Sequence, residues 1–455
     1  MNNVHVPKSQ PKTTDLSNDL MQATRKTRFR TLLHEYGFRK ERGIPVYEML
    51  VTMFLLPFTR QSFAEGIVNN QDVGFGKDAV YDMLNSPRYN WRRLVQSVAF
   101  SLWRFVESLT DRDHVLIIDS TSYNRNRSKK VELLSRVKDH ATQTFIRGFR
   151  METVAISDGY SLLPVDFALL ANASKEKRFC GMRTDIDKRT CGYQRRKEAL
   201  QKATDVVFHM VARVKKAGFR FRYILMDSWY GKPAVILRLM DYAHVICMIP
   251  KGKTKYRIGD QLMSLTEIYA SVRKKRGRAQ ILASAIVQLN GTIPAKIVFV
   301  RHRSKKGWLA ILSTDISLPE EEVVRTYGKR WDIEVFFKMA KQHLRMDSEI
   351  QSRRFDALVA HVSIVFLRYL FISWRMRIKE DQRSFGEVFR ATLPEIRDVT
   401  LLEALKRIAA TLFEIATAKA KDGYVLVESL LEIFEQSIQL FFQIPPDSKR
   451  GLVES

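Results

Sequence analysis

The sequence predicts an α/β fold with a helical region on either side, and three patterns support it. Short, mostly apolar stretches at residues 115–118, 221–226 and 245–249 are typical of strands buried on both faces of a sheet. Apolar residues at helical spacing fill residues 27–109 and return after 317. With 455 residues, of which 45% are hydrophobic, the chain is long enough for roughly two to four domains with buried cores.

The charge of the chain is strongly positive. Lysine and arginine number 76 against 49 acidic residues, a net charge of +27. A polyanion most simply explains such an excess, with nucleic acid first and an anionic membrane surface second. A membrane-spanning helix is disfavoured because the best apolar run, residues 362–374, contains Arg368. The polar start of the chain lacks the apolar segment of a signal peptide, so we expect a cytoplasmic, nucleoid-associated protein that does not bind membranes.

The sequence lacks the motifs of several functional classes. Cys180, Cys191 and Cys247 form no C-x-x-C pair, so a structural zinc site is disfavoured and the thiols are interpreted as reduced and incidental. The sequence contains neither G-x-x-x-x-G-K-[ST] nor G-x-S-x-G. These absences argue against a P-loop ATPase and a serine hydrolase.

The N-terminal part divides into a flexible polar leader, residues 1–25, and a helical domain, residues 26–112. Its clearest helix begins after Asn90, which is placed as the N-cap. Arginines surround this helix, which favours DNA binding, although basic solvated helices are also common. They are Arg88, Arg92, Arg93 and Arg104.

A catalytic core of α/β type is predicted from residue 113 to 250. The strand at 115–118 runs to Asp119, a hairpin joins 145–156 to 162–170, and a helix covers about 194–216. The strand at 221–226 ends in Asp227, followed by a helix at 233–242 and the strand at 245–249. A ribonuclease H-like fold has this order of elements: three strands, a helix, a strand, a helix and a strand. In that fold the first and fourth strands are neighbours, so Asp119 and Asp227 should converge.

The C-terminal half is predicted to contain an insertion, the rest of the core and a helical domain. Residues 251–316 form a β-rich insertion, with a type I′ turn at Asn290-Gly291 in its meander. The second part of the core covers 317–378 and bears a helix with Glu334. A C-terminal helical domain covers 379–455, with helices at about 384–391, 400–418 and 424–442.

One helical stripe between residues 327 and 341 combines a carboxylate with cations and a phenol. An ordinary surface helix with Glu/Lys pairs would show the same charges. The two strand-end aspartates favour a catalytic interpretation, because three carboxylates can hold a pair of divalent ions for phosphoryl transfer. The stripe consists of Tyr327, Arg330, Glu334, Lys338 and Lys341.

The pattern Tyr327-x2-Arg330-x3-Glu334-x6-Lys341 resembles the Y-x2-R-x3-E-x6-K motif of IS4-family insertion-sequence transposases. Asp119-Ser-Thr, Asp227 followed by Tyr230, and the β-rich insertion are similar to other parts of that family over about residues 115–345. The resemblance implies a ribonuclease H-like fold with a D-D-E triad of Asp119, Asp227 and Glu334 as catalytic metal ligands. It also implies DNA contacts by Tyr327, Arg330 and Lys341, with Trp331 and Trp308 as candidates to stack on a base. Lys338, one turn after Glu334, is either a further phosphate contact or a solvated lysine.

The implied activity is cleavage of transposon ends and joining of their 3′-OH groups to target DNA. It implies two Mg²⁺ ions, with Mn²⁺ as the alternative, and a homodimer on paired terminal inverted repeats. Trp331 would stack on a displaced base, and Trp308 is either a second such residue or an ordinary packed strand tryptophan. Two rivals remain: a nuclease of the same fold without strand transfer, and a DNA-binding protein that has lost catalysis.

Overall fold

The chain divides into two compact units of very different size. The computed structural model describes residues 15–40, 42–69, 74–139, 142–275, 279–302 and 306–393. The larger unit comprises residues 24–57 and 61–385, and it contains every predicted site residue. The smaller unit comprises residues 1–23, 58–60 and 386–455, and within it the rings of Phe58 and Phe389 lie 5.3 Å apart.

A mixed sheet of 11 strands organises the larger unit. Its order is β2-β3-β1-β5-β6-β11-β10-β9-β7-β8, and β4 also pairs with β3. The strands are β1 (Val115–Asn124), β2 (Ser135–Lys138), β3 (Phe145–Ser157), β4 (Leu162–Leu170), β5 (Tyr223–Met226), β6 (His244–Ile249), β7 (Lys255–Ile258), β8 (Gln261–Ser264), β9 (Ile281–Leu289), β10 (Ile293–Arg301) and β11 (Trp308–Ser313).

Five core strands, β1 and β3 to β6, have the pairing of a ribonuclease H-like sheet, which confirms the predicted fold class. β3 is antiparallel to both β1 and β4, whereas β5 is parallel to both β1 and β6. The helix predicted over 194–216 is two helices, α6 (Cys191–Ala199) and α7 (Ala203–Lys216). The hydroxyl of Thr190 caps α6 by accepting a hydrogen bond from the Tyr193 amide.

The β-rich insertion extends the core sheet. Its meander, β9 to β11, joins the core where β11 pairs antiparallel with β6. Asn290 and Gly291 have φ angles of 49° and 79°, as a type I′ turn requires. The hairpin β7–β8 and helix α9 (Leu265–Ser271) also belong to this region, and Ser264 and Glu267 form a capping box at the start of α9.

In the described part of the chain, five α-helices precede the sheet; residues 15–23 of the first belong to the smaller unit, and the other four helices belong to the larger unit. The best defined is α5 (Trp91–Glu107). Asn90 caps it, as predicted, by accepting a hydrogen bond from the Arg93 amide. Arg92 faces inward, where it pairs with Glu198 and donates to the Phe167 carbonyl. Thus α5 is fastened to β4 and α6. The helices are α1 (Asp15–Lys26), α2 (Phe29–Glu35), α3 (Val46–Leu55), α4 (Lys77–Asn85) and α5 (Trp91–Glu107).

The described chain before residue 379 contains four further α-helices. By length and composition α12 (Phe355–Ile378) could cross a membrane, but all of its apolar stretch is buried in the protein. The Arg368 side chain within it is fully buried and paired with Glu349, so α12 is the core helix of this unit. The four are α8 (Pro233–Leu239), α10 (Glu320–Gly328), α11 (Trp331–Gln342) and α12 (Phe355–Ile378).

The C-terminal predictions are only partly within the described chain. Residues 385–393 are helical, close to the helix predicted over 384–391. The helices predicted over 400–418 and 424–442 lie outside the described residues. The predicted domain boundaries, and DNA binding by the N-terminal helices, stay predictions.

Candidate active site

Asp119 and Asp227 follow paired positions on neighbouring strands. β1 and β5 run parallel with Ile118 opposite Met226, and the next residue in the chain after each of these is an aspartate. Since neighbouring strands lie about 4.8 Å apart, the two carboxyl groups leave the sheet side by side. The Asp227 carboxylate accepts a hydrogen bond of 2.9 Å from the Trp229 amide, which fixes it in the turn after β5.

Asp119 lies within its strand, so the prediction that β1 ends there is wrong. The parallel partner stops at Met226, but antiparallel pairing with β3 continues through Asn124. Asp119 therefore stands opposite Thr153 on β3, one residue beyond the last pair that β1 forms with β5. Its carboxylate accepts a hydrogen bond of 2.7 Å from the Ser120 amide.

The predicted single helix over 327–341 is interrupted, because α10 ends at Gly328 and α11 begins at Trp331. Arg330 occupies the break. Its guanidinium donates to Asp119 Oδ2 at 2.9 Å and to Glu334 Oε1 at 2.5 Å. One cation therefore joins the strand carboxylate to the helix carboxylate.

The electrostatics of Asp119 show that three acidic groups share this space. Burial raises the pKa of Asp119 to about 7, and repulsion from Asp227 and Glu334 adds to the rise. The Arg330 guanidinium opposes the shift but does not cancel it. The site thus has more negative charge than its arginine neutralises, which favours the binding of a further cation.

Two other residues of the stripe also lie at this end of the sheet. Lys341 Nζ donates to Thr121 Oγ1 at 2.8 Å, two residues beyond Asp119. The Tyr327 ring centroid lies 5.9 Å from Arg330 Cζ. Burial raises the pKa of Tyr327, so its phenol stays protonated at neutral pH. Both side chains can donate hydrogen bonds to an anion.

The remaining predicted DNA contacts differ in their surroundings. Trp331 is 62% exposed and Lys338 is exposed on α11, so both can reach a large ligand. Trp308 packs within the insertion, with the rings of Tyr269 and Phe299 at 4.9 and 5.0 Å, and Lys251 lies 3.9 Å from its ring. These contacts favour a packed strand tryptophan, while its role with DNA stays a prediction.

Comparison with protein families gives the site its context. The DDE superfamily endonuclease family matches residues 32–286, more than half of the chain, and this match contains Asp119 and Asp227. The chain belongs to the DDE superfamily endonucleases. A family described as archaeal putative transposase ISC1217 matches residues 201–378, which include Asp227 and Glu334. The narrower resemblance to IS4-family transposases stays a prediction.

Other comparisons add little to this endonuclease assignment. No curated protein matches the sequence. Among solved structures, the Drosophila P element transposase strand transfer complex covers 94% of this chain and 88% of its own, at 10% identity and a TM-score of 0.23. A score this low carries no argument about fold or function.

DDE superfamily enzymes generally use divalent metal ions, and the donor chemistry of this endonuclease fits them. Carboxylate oxygens are the ligands that hard cations prefer. Among the described residues, however, no three acidic, histidine or cysteine side chains are arranged to hold an ion. The Arg330 guanidinium supplies positive charge between Asp119 and Glu334 instead, so a metal ion held by these two carboxylates would compete with the guanidinium for their oxygens.

This competition predicts a measurable effect of Arg330→Gln. Without the guanidinium, Asp119 and Glu334 repel each other, and Mg²⁺ should bind about tenfold more tightly than to the wild-type protein. The measurement is the rise in thermal stability on titration with Mg²⁺. Arg325→Gln, which removes an exposed partner of Glu322 only, is the control. Equal responses of the two variants would contradict the competition.

The sequence analysis did not identify a buried cluster beside this endonuclease site. Glu152 on β3 is fully buried, accepts a hydrogen bond from the Tyr230 hydroxyl, and pairs with Arg150 at 2.5 Å. Arg150 lies 3.8 Å from the ring centroid of Trp229. The cluster thus supports the turn that follows Asp227. The available signal was Glu152 itself, the one carboxylate in the sequence of β3.

Proposed function

We propose that this protein is the DNA transposase of an insertion sequence, in which Asp119, Asp227 and Glu334 hold two Mg²⁺ ions. The observation that carries the proposal is the convergence of these three acids, with Arg330 bonded to two of them. Mn²⁺ is the alternative ion. The bound ions supply activation of the attacking hydroxyl or water and stabilisation of the leaving oxygen.

The chain's own residues orient the DNA for this chemistry. Once displaced from the carboxylates, the Arg330 fork can bind two oxygens of one phosphate. Lys341, now on Thr121, supplies a second positive charge, and the Tyr327 phenol donates a hydrogen bond. The exposed ring of Trp331, next to Arg330, can stack on an unpaired base. Together they hold the scissile phosphate against the three acids.

The partners follow from this proposed reaction. The DNA substrates are the terminal inverted repeats and a target duplex, and a homodimer holds the paired ends together. The net charge of +27 supports binding to any DNA, with an affinity that falls steeply as salt rises. The enzyme acts in the cytoplasm of a bacterial cell, in association with the nucleoid.

A strand-transfer assay tests the proposal. Labelled linear DNA carrying the inverted repeats that flank the gene is incubated with the protein, a supercoiled plasmid and Mg²⁺. We expect cleavage at the repeat ends and labelled DNA joined to the plasmid, because the freed 3′-OH groups attack a second duplex.

The same assay separates the proposal from its rivals. Cleavage without joined products identifies a nuclease of the same fold. Binding without cleavage identifies an inactive DNA-binding protein. Asp227→Asn is the matched variant. Its control is Asp241→Asn, which changes an exposed acid between α8 and β6. Equal cleavage by the wild-type protein and Asp227→Asn would refute the assignment of the acids.

A further inference from the structure

A cavity of about 480 Å³ opens beside β3, outside the acidic site. β3 changes its outer partner here: β2 pairs with residues 145–148 and β4 with residues 150–157. Side chains from the ends of both strands and from the loop after β4 line the concave surface. The cavity therefore forms where β3 exchanges β2 for β4 as its neighbour, and core strands line it.

The lining of this cavity is positively charged and contains no acidic side chain. Arg136 and Lys138 come from β2, Arg150 from β3, and Lys177 from the loop that follows β4. Among the described residues, no acidic group forms an ion pair with Arg136, Lys138 or Lys177, and all three are exposed. Uncompensated cations converging on one concavity are what a phosphate-bearing ligand requires.

An exposed aromatic ring stands at the same cavity. Phe145 is 59% exposed, and the guanidinium carbon of Arg136 lies 4.2 Å from its ring centroid. Aromatic rings and guanidinium planes beside basic groups are the surfaces on which unpaired nucleobases stack. Bases within a duplex have both faces covered by their neighbours. The ring therefore favours a single strand over a duplex.

Arg150 connects the cavity to the acidic site. Its side chain lines the cavity, packs on Trp229 and donates to the Tyr230 hydroxyl at 3.3 Å, and both aromatic residues follow Asp227. Along β3, Phe145 is eight residues from Thr153, the partner of Asp119. At about 3.4 Å per residue this is roughly 27 Å, comparable to about eight stacked nucleotides.

We propose that this cavity binds a single-stranded segment of the DNA that is cut at the acidic site. Lys177, Lys138 and Arg136 bind its phosphates, and a base stacks on Phe145. The proposal rests on the proposed function for the identity of the DNA. Its chemistry, a basic cavity with a stacking ring, is independent of catalysis.

The test measures binding of the full-length protein to a labelled single-stranded oligonucleotide by fluorescence anisotropy, without divalent metal and at several salt concentrations. Phe145→Ala should weaken binding about 5- to 150-fold, the range for loss of one stacked base. Lys177→Ala should lower the slope of log affinity against log salt by about 0.7, as expected for one lost phosphate contact.

Two matched controls are available in the chain. Tyr160 is 67% exposed and stacks with Arg112 at 4.0 Å, as Phe145 does with Arg136, but lies away from the cavity. Lys216 is an exposed lysine at the end of α7. Tyr160→Ala and Lys216→Ala should bind the oligonucleotide like the wild-type protein. Thermal unfolding of all four variants checks that each is folded.

The outcomes separate this inference from the proposed function. If Phe145→Ala and Lys177→Ala bind like their controls, or weaken duplex binding as much as single-strand binding, the inference is overturned. If they weaken single-strand binding selectively, it stands, even where the wild-type protein neither cuts nor joins DNA. If the wild-type protein neither cuts nor joins DNA but the two variants bind single strands selectively less well, only the proposed function fails.

Discussion

Replacing Asp119 by asparagine is expected to lower metal-dependent DNA cleavage by about 100- to 1,000-fold, since a bound ion contributes several kcal/mol to catalysis. Asparagine keeps the size of the side chain and can still accept the hydrogen bond from the Ser120 amide. It removes the negative charge that, with Asp227 and Glu334, favours a cation. The measurement is the rate of strand cleavage at saturating DNA and Mg²⁺.

The design of this experiment separates chemistry from folding. Asp119 is buried among like charges, so its neutralisation should leave thermal stability unchanged or raise it. Asp241→Asn changes an exposed acid and should cleave at the wild-type rate. DNA binding without metal should also persist in Asp119→Asn. A variant that is folded, binds DNA and still cleaves at the wild-type rate would exclude Asp119 as a metal ligand.

The strand order was predictable because buried strands produce apolar runs that need no knowledge of their partners. Residues 115–118, 221–226 and 245–249 each gave such a run, and their order along the chain restricts the sheet to few topologies. Asp119 and Asp227 were then located by the parallel pairing of their strands. The type I′ turn at Asn290-Gly291 was equally local, since φ is positive at both residues.

The contacts of the site were less predictable because they join distant parts of the chain. Periodicity alone gave one helix over 327–341, whereas the chain breaks at Arg330, whose guanidinium bonds to Asp119 on β1. That bond links residues 211 apart in sequence. Glu152 is similar, since its partner Tyr230 lies 78 residues away and only the folded sheet brings them together.

The Arg330 contacts also change how the motif is interpreted. From the sequence, Arg330 was a phosphate contact and Glu334 a metal ligand. In the structure the two are paired, as an ordinary i,i+4 ion pair would be, and Asp119 completes the group. Both interpretations hold if the arginine neutralises the acids before ions and DNA arrive and then moves to the phosphate. The Arg330→Gln titration tests the first half of that sequence.

The largest expected effect on stability comes from Glu349→Gln, which removes one partner of the buried arginine in α12. Both side chains are fully buried, and Arg368 donates to the two Glu349 oxygens at 2.6 and 2.7 Å. The His361 ring lies 2.8 Å from the same carboxylate. Loss of the negative charge leaves Arg368 uncompensated, and we expect the free energy of unfolding to fall by about 3–5 kcal/mol. Urea unfolding at pH 7 measures it.

The pH dependence gives an independent check on this buried pair. Despite the opposing effect of burial, Arg368 and His361 lower the pKa of Glu349 to about 2, below its usual value of 4.5. The stabilisation is therefore complete above pH 4.5 and declines as the pH falls toward 2. The unfolding free energy of Glu349→Gln should lack this decline, so the two curves converge in acid. The control is Asp187→Asn, which breaks an exposed pair with Arg189 and should have the unfolding free energy of the wild-type protein at pH 7. If the unfolding free energies of Glu349→Gln and the wild-type protein instead fell in parallel with pH, the buried ionised pair would be contradicted.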